Sequence, residues 1–159
     1  MVDRSVLNRL PDVVAPTPTY GRIVRRDNQG DWKFIVMPTE IQTRHTSSYR
    51  ASGSIGVMQS QQFQNYNEEL SIPRVTFSTK YANKDLRQYV QSFINLIKPI
   101  SSALSPPVLA FAWGQYVFNP CVITQATVTE KDWYSNAALA TCTLSITLLK
   151  VPEDQVVII

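Results

Sequence analysis

Leu86, Tyr89, Val90, Phe93, Ile94 and Ile97 recur at spacings of three and four, and this pattern gives way after Pro106-Pro107 to alternation. The first pattern predicts a helix over about 84–98 with one apolar face. Asn83 is placed to cap it, Asp85 sits in the first turn where a negative charge suits the helix dipole, and Pro99 ends it. The second pattern predicts strands. Leu109, Phe111 and Trp113 alternate with Val108, Ala110 and Ala112, so large side chains take one face and small ones the other. Gly114-Gln115 then makes a tight turn, and residues 116–128 return as a strand interrupted at Asn119-Pro120 by a bulge or an edge position. In the last strand Ala138, Ala140, Cys142, Leu144, Ile146 and Leu148 alternate with Thr141, Thr143, Ser145 and Thr147. One of its faces is apolar; the other bears hydroxyls without charge.

Upstream of this block the pattern is weaker. Residues 1–20 carry Pro11, Pro16 and Pro18 with little periodicity and read as an extended arm. Val6, Leu7, Leu10, Val13 and Val14 make the arm apolar enough to lie on something, either its own domain or a partner. Residues 21–37 read as a hairpin, with Arg22 to Arg26 as one strand, Asp27 to Gly30 as the turn and Trp32 to Met37 as the return. Residues 38–70 are rich in Ser, Gln and Asn and read as a long loop with scattered aromatics, followed by a short strand to Ser78. Glu130 to Ala137 reads as a connection. The C-terminal tail, 151–159, ends in Val156-Val157-Ile158-Ile159, a run that should pair with a strand or enter a groove on this chain or another.

A chain of 159 residues with 44% hydrophobic and 17% charged residues is a folded domain with a core of its own. The net charge of +3 is too mild to make nucleic acid the main partner. No run of about 18 apolar residues spans a membrane. Residues 1–18 lack the apolar core of a secretory signal, which predicts folding in a cytoplasm. Cys121 and Cys142 fall in predicted strands and read as buried free thiols, with a disulfide as the alternative.

Candidate chemistry is sparse. One histidine and two cysteines do not make a zinc site, and no cofactor site is expected. His45 stands in a polar stretch with no nucleophile organised around it, and reads as a solvent-exposed loop residue. No pair of carboxylates is marked out for acid–base work, and the five glycines are scattered singly, so there is no phosphate loop. An enzyme is not expected. Arg22, Arg25 and Arg26 form a cluster that fits a phosphate or acidic partner, or simply a solvated face. Trp113, Tyr116 and Phe118 could stack bases, but 109–128 contains no Lys or Arg, which favours core or a protein interface.

The order of these elements resembles a known family. Val36-Met37-Pro38-Thr39-Glu40-Ile41 is similar to the motif that closes the first hairpin of contractile injection system and phage tail tube proteins. Ile72-Pro73-Arg74-Val75-Thr76-Phe77 resembles the strand before their helix, and 84–97 the helix. Pro106-Pro107-Val108 with Phe111 and Trp113-Gly114 is the most specific match, with Phe118, Cys121 to Ile123 and 140–150 following in order. The resemblance covers about 21–150.

It implies a mainly β fold with one flanking helix, a tube-like sandwich or partly closed barrel with extended terminal arms, assembled as a hexameric ring. The long stretch 38–70, and the absence of a Gly-x-Pro turn before the last strand, point to a baseplate component rather than the repeated tube subunit. Such a component would be a tube initiator, an adaptor between hub and tube, or a hub companion without its LysM module. The implied partners are copies of itself, tail tube and baseplate hub proteins, with DNA only passing through the lumen. The implied location is the virion tail. Expected subunit contacts are Leu7, Leu10 and Val13 on the arm, Arg22, Arg25 and Arg26, Trp113 and Tyr116, and Val156 to Ile159. The alternative from another class is a small β-barrel module that binds nucleic acid or carbohydrate.

Overall fold

The computed structural model describes residues 4–11, 19–27, 29–52, 60–99 and 105–152. Among these residues two helices, α1 (Arg4–Leu7) and α2 (Arg87–Ile94), accompany seven strands: β1 (Arg22–Arg25), β2 (Asp31–Lys33), β3 (Gln42–Ser52), β4 (Ser60–Ser78), β5 (Leu109–Trp113), β6 (Tyr116–Trp133) and β7 (Leu139–Lys150). The strands form a single sheet in the order β2-β1-β5-β6-β7-β4-β3, antiparallel at every pairing. The sheet does not close. It curls, so that β2 near one end comes into ring contact with β4 near the other, and the fold is mainly β with a flanking helix.

The largest departure from the sequence reading is at 38–70. Most of this stretch is not loop: β3 and the first half of β4 form a long hairpin, paired from Gln42 opposite Ser71 to Ser52 opposite Ser60 with one slip between Ser48 and Tyr49. The physical reason is the position of β3 at the outside of the sheet. From Gln42 to Ser47 every side chain is exposed on both faces, so the strand carries none of the apolar alternation by which a half-buried strand is recognised. The connection expected at 130–137 is also shorter, because β6 continues to Trp133 and a turn over 134–138 leads into β7.

The hairpin at 21–37 forms as expected, with a shorter return strand. Gly114 adopts φ of 61° in the β5–β6 turn, a conformation that glycine takes without a Cβ penalty. At Asn119-Pro120, which forms a cis peptide, β6 is not interrupted. The pairing with β5 slips by one residue instead, from Leu109 opposite Cys121 to Phe111 opposite Phe118. A second slip, between Ile72 and Val75, takes up Pro73, which a regular central ladder would not accommodate.

The helix is shorter than 84–98 and starts later. Asn83 has φ of 52° and lies in a turn, so it does not cap. The N-cap position is Leu86, which has no side-chain cap. Asp85 just before it serves the first turn, its Oδ1 accepting from the Arg87 amide at 2.9 Å and from the Leu139 amide of β7 at 3.0 Å. Beyond Ile94 the chain tightens into i to i+3 bonds, Leu96 to Phe93 and Ile97 to Ile94, each 3.0 Å. That tightening turns Leu96 into the core and leaves Ile97 only partly buried. Leu86, Val90 and Phe93 are buried as expected.

Replacing Phe93, fully buried at the centre of this face, by Ala should cost about 3–5 kcal/mol in urea unfolding. A loss below about 1 kcal/mol would mean that the helix does not pack as described. The amides of Arg87 and then Leu139 hold the Asp85 carboxyl below its usual value of 3.8. Its contribution is therefore present above that value and lost as pH falls through the lower folded pKa. Asp85→Ala should lower the melting temperature near neutral pH, and the gap to the wild type should shrink in acid.

Candidate interaction surface

No group of three or more His, Cys, Asp or Glu among the described residues is placed to hold a metal, and no helix among them is long and apolar enough to cross a membrane. His45 lies on β3 rather than in a loop; it is exposed, and its Nδ1 meets the Tyr66 hydroxyl at 2.5 Å. Cys121 and Cys142 are both free and buried. Burial pushes the Cys121 thiol up to about 12 and the Cys142 thiol up to about 11, so neither is a thiolate near neutrality.

What the fold does present is surface of three kinds. The first is a sheet face of hydroxyls. Register places Thr129, Thr143 and Thr76 in one row across β6, β7 and β4, and Lys131, Thr141 and Ser78 in the next. Thr76 and Thr143 hydroxyls meet at 3.2 Å, and those of Ser78 and Thr141 at 3.3 Å. Thr127 beside Ser145, and Gln125 beside Thr147 and Ser71, continue the same face, which carries Lys131 at one end and the exposed Arg74 at the β4 slip.

The second is the outer side of β3. Among the described residues no strand lies beyond it. The eleven residues contain no proline, and one slip in register, between Ser48 and Tyr49, bends the hairpin.

The third is a groove of about 520 Å³ beside β2, lined by Tyr20, Trp32, Phe34, Ile35 and Tyr89. Ile35, about half exposed, lies at its apolar rim, and Val36 beside it in sequence is also about half exposed. Tyr89 builds the floor: its ring stacks on Trp32 at 4.8 Å and meets Phe77 edge-on at 5.3 Å. The Trp32 indole N–H donates to the Tyr89 carbonyl at 3.2 Å. The helix pattern assigned Tyr89 only to the apolar face. The signal that it does more is the residue type, because a tyrosine on a buried face needs a partner for its hydroxyl.

The residues expected at subunit contacts are dispersed over this surface. Arg22 is exposed on β1, whereas the Arg25 guanidinium is bound to Asp27 at 2.6 Å and the Arg26 amide donates to the Val108 carbonyl at 2.9 Å. Trp113 is half-buried, and its indole N–H donates to the Thr19 carbonyl at 2.9 Å, tying the root of the N-terminal arm to the β5–β6 turn. Tyr116 is exposed and packs edge-on against Phe111 at 6.2 Å. Val6 and Leu10 are exposed, and the backbone of Leu7 lies in α1. Val13 and Val156 to Ile159 lie outside the described residues.

No family model matches the sequence, and no curated protein does. Among solved structures, the chain is similar to one in a structure titled "Cryo-EM structure of the anti-feeding prophage (AFP) baseplate, 6-fold symmetrised". The TM-score is 0.40 at 7% identity, over 92% of this chain and 100% of that one.

In native protein near neutral pH, a thiol reagent should leave both cysteines unmodified, and denaturant should make both react. Rapid labelling of folded protein, read by mass spectrometry, would contradict the burial described here.

Proposed function

We propose that this chain is a structural component of a phage tail or related contractile injection device. In this reading it is a tube-like baseplate protein, a tube initiator or an adaptor between hub and tube, that forms a hexameric ring with copies of itself and carries no catalytic residues. The observation that carries the reading is the outer side of β3. Eleven residues span about 36 Å of extended chain, without a strand beyond them among the described residues. A protein that works as a monomer blunts such an edge with a short strand, proline or a covering element. Here a neighbour's strand would satisfy the outward N–H and C=O groups, and repetition of the same head-to-tail contact closes a ring.

The resemblance of the motifs at 36–41, 72–77 and 106–114 to tube proteins supports the same reading. The arms serve it too. Val6 and Leu10 are exposed, and Val156 to Ile159 form an apolar β-branched run, a composition that suits contact with neighbouring subunits, tail tube or hub. In a ring the hydroxyl face would line the lumen or an intersubunit seam. The place of action would be the virion tail, after assembly in the host cytoplasm.

The test is the size of the purified protein by light scattering and negative-stain imaging. The wild type should form closed rings. Thr46→Lys with Ser47→Lys, which put two cations on the outer strand, should shift it to monomer with its circular dichroism unchanged. Deleting 1–18, or 153–159, should weaken assembly and leave the domain folded. A wild type that remains monomeric at every concentration would sink the ring. If that monomer also bound oligonucleotide tightly and salt-sensitively, the small binding-module reading would replace it.

A further inference from the structure

An open sheet has two edges, and in this protein they are treated differently. The Arg25 amide donates to the Gly30 carbonyl and the Phe34 amide to the Gly21 carbonyl, both at 2.9 Å. The backbone groups of residues 30 and 34 therefore face β1, and by alternation those of Asp31, Lys33 and Ile35 face outward. Two of these outward groups are occupied. The Ile35 amide donates to the Tyr89 hydroxyl at 3.1 Å, and the same hydroxyl donates to the Lys33 carbonyl at 2.7 Å.

A strand added in parallel at this edge would bring one residue opposite Phe34, with its N–H directed to the Lys33 carbonyl and its C=O to the Ile35 amide. One hydroxyl, donor and acceptor at a single atom, does both. We infer that Tyr89 is a latch that stands in for an added strand at the β2 edge and so confines strand addition to the β3 edge. The partner at β3 follows the proposed ring, on which this one-sidedness rests; the latch itself rests on the geometry alone.

Three contacts fix the hydroxyl in place: the stack on Trp32, the edge-on contact with Phe77 and the indole N–H bound to the Tyr89 carbonyl. Burial also raises the phenol above its usual range, so the group stays protonated and keeps its donor at any working pH. What remains of the β2 edge is the Asp31 backbone and the Lys33 amide, on a strand of three residues with a charge at each end. With both edges open, β2 of one copy could pair with β3 of the next and extend the sheet without limit. With β2 latched, the strand added at β3 has to come from another segment of the neighbour, for which the apolar run Val156 to Ile159 has the composition.

Hydrogen exchange followed residue by residue, together with assembly size, tests the latch in the full chain. In the wild type the Ile35 amide should be protected, with the Phe34 amide as internal reference. In Tyr89→Phe, which keeps the ring and loses the hydroxyl, Ile35 should exchange about tenfold faster, the equivalent of one lost hydrogen bond. The variant should also associate beyond the wild-type size, and adding Ile35→Pro, which removes the freed amide, should reverse this. An unprotected Ile35 amide in the wild type overturns the latch, whether or not the variant folds. So does a Tyr89→Phe protein with a freed Ile35 amide and an unchanged size distribution. A wild type that is only monomeric counts against the ring, while these two readouts still decide the latch.

Discussion

Trp32 stands where three distant parts of the chain have to meet. Its ring lies 4.7 Å from Phe34, 5.0 Å from Phe93 of α2 and 6.0 Å from Phe77 of β4, and it stacks on Tyr89. Phe34 continues the cluster to Phe111 of β5 at 6.0 Å. Without this junction β2 would be the free end of a flat sheet and the helix would have no seat. With it the sheet curls on itself, and the helix covers the seam between β2 and β4. Edge-to-face aromatic pairs contribute about 0.5–1.5 kcal/mol each beyond the area they bury, so the junction is both an adhesive and a geometric constraint.

Fixing the curl decides what is left outside. On β7 the inward face is Ala140, Cys142, Leu144, Ile146 and Leu148, all buried, and the outward face is its hydroxyl row. Because a strand alternates with period two, an apolar interior along β7 imposes a uniform exterior along the same strand. β4 and β6 follow in register, and the polar face spreads across all three. The exposed hairpin, in contrast, has little of the apolar interior beneath it. Its form comes from backbone pairing with β4, and its edge remains open to pairing.

The core was legible in the sequence because its signals are periodic. The helix face announced Leu86, Val90 and Phe93, and strict alternation announced β7, including its hydroxyl side. The hairpin at β1–β2 was legible from its turn residues. β3 was not, because Gln42 to Ser47 lie at an outer edge with both faces wet and no burial to impose a pattern. Asn83 was misread as the cap: the N-cap position is Leu86, and the carboxylate that serves the first turn is that of Asp85, fixed there by its bond with Leu139 of β7, which no local pattern shows. The role of Tyr89 was invisible for a similar reason. Its helix position fixes the ring inside the core, but the partners of its hydroxyl, at Lys33 and Ile35, lie more than fifty residues away along the chain.

The length of β4 has a mechanical meaning. Its nineteen residues, about 63 Å of extended chain, run without a break from the hairpin to Phe77 at the aromatic junction. The ladder to β7 is built of hydrogen bonds perpendicular to the strands, so a pull along the hairpin loads many of them together in shear instead of peeling them one at a time. Force on the hairpin is thus carried past the polar face into the most densely packed part of the molecule. The weak directions are sideways, where β3 can be stripped from β4 one pair after another. A neighbour bound along β3 would oppose that motion, so the strong axis and the open edge complement each other.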